Sequence, residues 1–167
     1  MKKLLTLPII INILLLTCSC TSQPYRDISE FCAEVNSRYG SPLLDFPSYY
    51  TEGDDEYCFF VSMGGADVIV ALTQDESACV TSARLSLVNG GASLSSQAQS
   101  AVYECFAIIC GVLDSRPTES ITELFSRNSF SESTVSFTEG AVEIEDGKLS
   151  VFIWTNENVI SLYCISA

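Results

Sequence analysis

The chain has no histidine, and only eight of its 167 residues are basic against 21 acidic ones. The missing imidazole removes the commonest general base, the commonest zinc ligand and the side chain that titrates unperturbed near neutrality. Ser-His-Asp and Cys-His catalytic schemes are therefore excluded. Lysine is scarce as well: Lys2 and Lys3 stand near the N-terminus, and Lys148 is the only other. A Ser-Lys dyad would have to use Lys148, which sits beside Gly147 at a turn signal, a poor place for a desolvated amine. Without the two leading lysines, six basic residues face all 21 acidic ones, a formal charge near −15. Such a surface repels phosphate backbones, so no nucleic-acid partner is expected. No two cysteines form a C-x-x-C unit, which takes the main support from a thioredoxin-like redox site and from a zinc ribbon.

What is present begins with an address. Lys2 and Lys3 precede an apolar stretch, Leu4 to Leu16, broken only by Thr6, Pro8 and Asn12. This is the layout of a signal-peptide core. A membrane-spanning helix needs about 20 apolar residues, and this run is shorter. It ends in Leu15-Leu16-Thr17-Cys18-Ser19-Cys20, which resembles the lipobox of bacterial lipoproteins, where a small residue precedes the lipidated cysteine. Ser19 before Cys20 fits that family; Thr17 before Cys18 fits it poorly. The departure is Thr17, three before Cys20, where the family usually has Leu; by that criterion Leu15 points to Cys18. Cys20 is the better candidate.

The resemblance covers the leader alone. It implies a signal peptide over residues 1–19, lipidation at Cys20, and a polar tether over 20–26. The protein would sit in the cell envelope, facing outside the cytoplasm and held to a membrane by at least two acyl chains, enough for stable attachment.

Residues 27–167 are then one domain of ordinary size. Cys32, Cys58, Cys79, Cys105, Cys110 and Cys164 remain for it. An even number in an exported chain allows disulfides, with more connectivities than the sequence can choose among, and buried thiols are an equal alternative. Cys105 and Cys110 fall on one predicted helix, too far apart to bond each other.

Periodicity predicts an α+β fold. Ile28, Phe31, Cys32, Val35 and Tyr39 recur at helical spacing, with Gly40 as a stop. Pro42 to Asp55 reads as an irregular acidic connection. Strands are predicted at Tyr57–Met63, Asp67–Thr73 and Ala78–Val88, joined at hairpin distance, as an antiparallel meander. Ser96-x-x-Gln99 fits a capping box at the start of the longest and most buried helix, which ends before Pro117. A second helix is expected from Pro117 to Arg127. Four strands follow, Thr134–Phe137, Ala141–Glu145, Leu149–Thr155 and Val159–Ser166, with turns at Asp146-Gly147 and Asn156-Glu157-Asn158. An antiparallel sheet with helices packed on one face results.

Each half runs helix, then meander, and Ile69-Val-Ala-Leu-Thr-Gln-Asp75 matches Val151-Phe-Ile-Trp-Thr-Asn-Glu157 in pattern. A tandem helix-plus-meander duplication is one reading and generic patterning the other. The order loosely resembles the layout of secreted β-lactamase-inhibitor proteins, without a specific motif of that family.

Acidic clusters at Glu52/Asp54/Asp55/Glu56, Asp75/Glu76 and Glu143/Glu145/Asp146 are oxygen-rich, but none has the alternating spacing of a calcium loop, so no metal or cofactor is expected. Carboxylate pairs alone do not single out a glycosidase. Among aromatics on predicted strands, Tyr57, Phe59, Phe152, Trp154 and Tyr163, alternation places Phe152 and Trp154 on one face. Tyr49-Tyr50 beside the acidic loop is the best surface candidate. The expectation is a non-enzymatic, membrane-anchored lipoprotein binding an extracytoplasmic protein or carbohydrate; the alternative is a secreted inhibitor of an extracellular hydrolase.

Overall fold

The computed structural model describes residues 27–46, 48–51 and 55–166; the leader, Cys20, the tether, and Glu52 and Asp54 of the acidic loop lie outside them. The first helix, α1 (Ile28–Tyr39), starts where the Asp27 carboxylate accepts a hydrogen bond from the Ser29 N–H at 2.6 Å. It stops at Gly40, whose φ of 78° is left-handed and whose N–H returns to the Asn36 carbonyl. This is the usual work of glycine after a helix. Asn36 then holds the next turn: its side-chain oxygen accepts from the N–H groups of Leu43 and Leu44, and its amide donates to the Leu44 carbonyl. Leu44 is thereby fixed in the core.

A short edge strand β1 (Tyr50–Thr51) leads into β2 (Glu56–Met63), β3 (Ala66–Gln74) and β4 (Val80–Val88). Two helices follow, α2 (Ser96–Leu113) and α3 (Thr118–Arg127), and then β5 (Gly140–Asp146), β6 (Leu149–Thr155) and β7 (Val159–Ser166). The seven strands form one antiparallel sheet in the order β1-β2-β3-β4-β7-β6-β5. Helices and sheet together give the expected α+β fold.

Each half is helical and then a three-stranded meander, α1 before β2-β3-β4 and the pair α2 and α3 before β5-β6-β7, and the last strands of the two meanders pair at the centre. Leu85 faces Leu162 across that seam. The two runs matched in sequence fall on β3 and β6, the middle strand of each meander.

Beyond one-residue shifts at element ends, β4 starts at Val80 and not at the expected Ala78, and three other features differ from expectation. The cap of α2 is Ser95, one residue before the predicted box; its hydroxyl accepts from the Ala98 N–H at 3.1 Å. Tyr50–Thr51 adds a strand to the connection read as irregular. Thr134–Phe137 is not a strand: Glu132–Thr134 is a 3₁₀ turn in which the Thr134 hydroxyl accepts from the Ser131 N–H and donates to the Ser131 carbonyl. Hydroxyl side chains bonding the local backbone offer it an alternative to a ladder, and here they prevail.

The core lies between one sheet face and the helices. α2 is buried along most of its length, from Val102 through Cys105–Leu113. Phe106, Phe125 and Phe130 meet Tyr103 in a cluster with ring centroids 5.0–6.4 Å apart. Gly64 turns β2 into β3 with a φ of 60°, and a Cβ there would lie 2.7 Å from the Ala98 Cα, so the hairpin backs directly onto the start of α2. Among the described residues, no helix is long and apolar enough to cross a membrane.

Candidate binding surface

Strand alternation splits each strand between the helix side and the open side of the sheet. On β2, Phe59, Val61 and Met63 are buried while Phe60 and Ser62 are exposed. On β6, Leu149, Val151, Ile153 and Thr155 are buried while Phe152 and Trp154 are exposed. The pairing register carries one open-face row across all seven strands: Tyr50, Cys58, Ala71, Arg84, Tyr163, Phe152, Glu143. The adjacent row runs Phe60, Ile69, Ser86, Ser161, Trp154, Ala141.

Two aromatic patches thus stand on the open face. At one end Phe60 is 74% exposed and stacks on Tyr50, with centroids 4.9 Å apart and planes 19° from parallel. At the other, Trp154 is 50% and Phe152 38% exposed, with Phe152 leaning on Tyr163 at 6.3 Å. Between them lie small residues, Ala71, Ser86 and Ser161, and the Arg84 guanidinium, which pairs with Glu56 at 3.0 Å. Trp154 and Phe152 share a face, as alternation requires. The Tyr49-Tyr50 pair is divided: Tyr50 is on the open face, while Tyr49 packs on Phe46, Tyr57 and Phe59 on the helix side. Phe60, the most exposed aromatic among the described residues, is not among the surface candidates read from the sequence; its signal is the Phe59-Phe60 adjacency, since neighbours on a strand must part.

The acidic clusters separate in the same way. Glu56 pairs with Arg84. Asp75 accepts from the N–H groups of Ser77 and Cys79 and so closes its own turn. Asp146 receives Arg116 at 2.6 Å, and Glu145 accepts from Ser150. Glu143, opposite Phe152, and Asp67, opposite Ser62, are exposed acids of the open face. Among the described residues, no three acids or thiols converge as a metal ion would need.

Cys32, Cys79, Cys105, Cys110 and Cys164 carry free thiols. Cys105 and Cys110 lie on one helix, α2, and the Cys164 thiol on β7 donates to the Ala83 carbonyl at 3.7 Å. Burial, with a smaller push from Asp27, raises the Cys32 thiol to about 12. Burial likewise raises Cys105 and Cys110. Protonated, enclosed thiols are poor nucleophiles. Cys58 is buried on β2 between Tyr50 and Ala71. Cys79 is the half-buried one, in a cleft of about 330 Å³ that also holds Asp75, Asp114 and Lys148. Both acids there already have partners, Asp75 in its turn and Asp114 on Arg116.

The chain matches no known family model, no curated protein and no solved structure.

Proposed function

We propose that this chain is a non-enzymatic binding module, exported and lipid-anchored at Cys20, whose open sheet face takes an extracytoplasmic protein. The observation that carries this reading is the pair of aromatic patches on a sheet face that none of the described helices covers. Aromatic side chains are enriched in protein interfaces, and a contiguous exposed apolar patch on a single domain marks a contact surface.

The dimensions suit a protein. Six steps between strands at about 4.8 Å make the face about 29 Å wide, and strands of this length give it an area on the order of 600 Å². A standard interface takes about 800 Å² from each partner. The Tyr50–Phe60 patch on β1–β2 and the Trp154 patch on β6 are separated by about 19 Å, four strand spacings, too far for one small ligand to touch both. The leader supplies the other half of the reading: an apolar core followed by Ser19-Cys20.

Photo-crosslinking residues placed at Phe60 and Trp154, and at Glu119 on α3 as a helix-side control, test the face in intact cells. Adducts from the two sheet positions and none from Glu119 support it. Adducts from Glu119 alone, or from no position, overturn it. Intact mass of the membrane fraction tests the anchor, with Cys20→Ala as the control. Wild-type protein found free in the medium without acyl chains would remove it.

The hydrolase-inhibitor alternative draws on one observation, the repeated helix-plus-meander order ending in an open aromatic face. It requires that the purified domain abolish the activity of a target enzyme, which a simple binding module does not.

A further inference from the structure

We infer that the partner presents lysine or arginine side chains to the open face, seated on Trp154, Phe152 and Tyr163 beside Glu143. This rests on the reading of the open face as the binding surface, and specifies the chemistry of its occupant. Three observations carry it.

The first is the company of the aromatics. Glu143 faces Phe152 directly across the β5–β6 ladder, and Tyr163 faces Phe152 from the other side. A carboxylate beside half-exposed rings is a receptor for a cation: the ring faces attract it through their quadrupole, and the acid supplies the counter-charge. Glu143 makes no hydrogen bond or ion pair with any described residue, so its charge is open to a partner.

The second is the state of the domain's own cations. All four described arginines are already in ion pairs: Arg38 with Glu34, Arg84 with Glu56, Arg116 with Asp114 and Asp146, and Arg127 with Glu123. Lys148, the one described lysine, stands at the β5–β6 turn in the Cys79 cleft, so among the described residues the open face offers no unpaired cation to an anionic ligand. Its single guanidinium is held by Glu56, and Asp67, Glu143 and Glu145 leave it net negative.

The third is the formal charge of −13 on the whole chain, which draws cationic surfaces from a distance and repels acidic ones. Steering brings a basic partner to the domain, and the rings give it a place to dock.

The test uses the full-length protein in neutral detergent micelles and two labelled peptides. One is a twelve-residue peptide alternating arginine with glycine and serine; its twin carries citrulline, the uncharged isostere, at every arginine. Binding is read by peptide anisotropy, and independently by emission from Trp154, the only tryptophan in the chain. The arginine peptide should bind and shift Trp154 emission while the citrulline twin does not. Trp154→Ala and Phe152→Ala should each weaken binding about tenfold, and Glu143→Gln about threefold. Glu119→Gln, on the helix side, should leave it unchanged.

Equal binding by the two peptides, or equal loss from Glu119→Gln and Glu143→Gln, would show only diffuse attraction and overturn the inference. No binding by the arginine peptide overturns it as well. If a neutral chito-oligosaccharide shifts Trp154 emission where the arginine peptide does not, the cationic partner is lost. The sheet-face crosslinks decide the broader reading separately.

Discussion

The two faces of this sheet both carry aromatic rings and differ in what lies over them. Phe59 and Phe60 are neighbours on β2; one is 2% exposed under the helices and the other 74% exposed on the open side. Tyr49 and Tyr50 part in the same way. On the helix side an aromatic ring is held by α1, α2 and the connecting segments, so removing it leaves a cavity. On the open side Phe60, Phe152 and Trp154 are 74%, 38% and 50% exposed, so these rings add less to folding while leaving apolar area in water. Little stability is gained from Phe60, Phe152 and Trp154 there, which is the ground for the contact surface proposed above.

That contrast can be broken most sharply at the adjacent phenylalanines. Phe59→Ala should cost about 3–5 kcal/mol of unfolding free energy, because the cavity closes only in part, and Phe60→Ala less than about 1 kcal/mol. Equilibrium urea unfolding of both variants measures the difference; similar costs would mean the open face is structural. Gly64→Ala forces a methyl group against the backbone of Gln97 and Ala98 at a left-handed φ, and should cost about 2–3 kcal/mol in the same assay.

The thiols sharpen the comparison through pH. Burial raises Cys32 from 9.0 to about 12 and raises Cys105 and Cys110 as well, so the folded state holds these protons more tightly than the unfolded state does. Their contribution is fully present below pH 9 and is lost as pH rises toward about 12. The urea midpoint, followed from pH 7 to 11, should be flat at first and then fall. In native protein at neutral pH, iodoacetamide should label Cys79 ahead of Cys32, Cys105, Cys110 and Cys164. The smallest effect belongs to the cap of α2: Ser95→Ala should cost about 1 kcal/mol.

Local chemistry made much of this fold readable. Asp27 and Gly40 bracket α1, Gly64-Gly65 and Asp146-Gly147 mark hairpins, and the wide apolar face of α2 announced its burial. Each is decided by residues within a turn of the feature. Alternation also put Trp154 and Phe152 together. What it could not supply is which side of a strand the helices would cover, because that depends on elements distant in sequence. Phe59 and Phe60 are indistinguishable as letters, and only the docking of α1 and α2 separates them. The same holds for Tyr49 and Tyr50. Thr134–Phe137 failed for a local reason: Ser131 and Thr134 bond each other's backbone and curl the segment away from a ladder.

The seam between β4 and β7 has a consequence for how the domain is reached. Every other strand pair joins neighbours in the chain, whereas the seam ties Val88 to Val159 and Ser82 to Ile165, partners roughly 70–80 residues apart. Closing a loop of that length carries an entropic cost that hairpins escape, and such distant contacts slow folding. Each meander can zip from its own turns, but the continuous open face exists only once the centre has closed. The two aromatic patches lie on opposite sides of that line, so a chain whose meanders have not joined carries each of them without the spacing between them, and closing the seam makes them one surface.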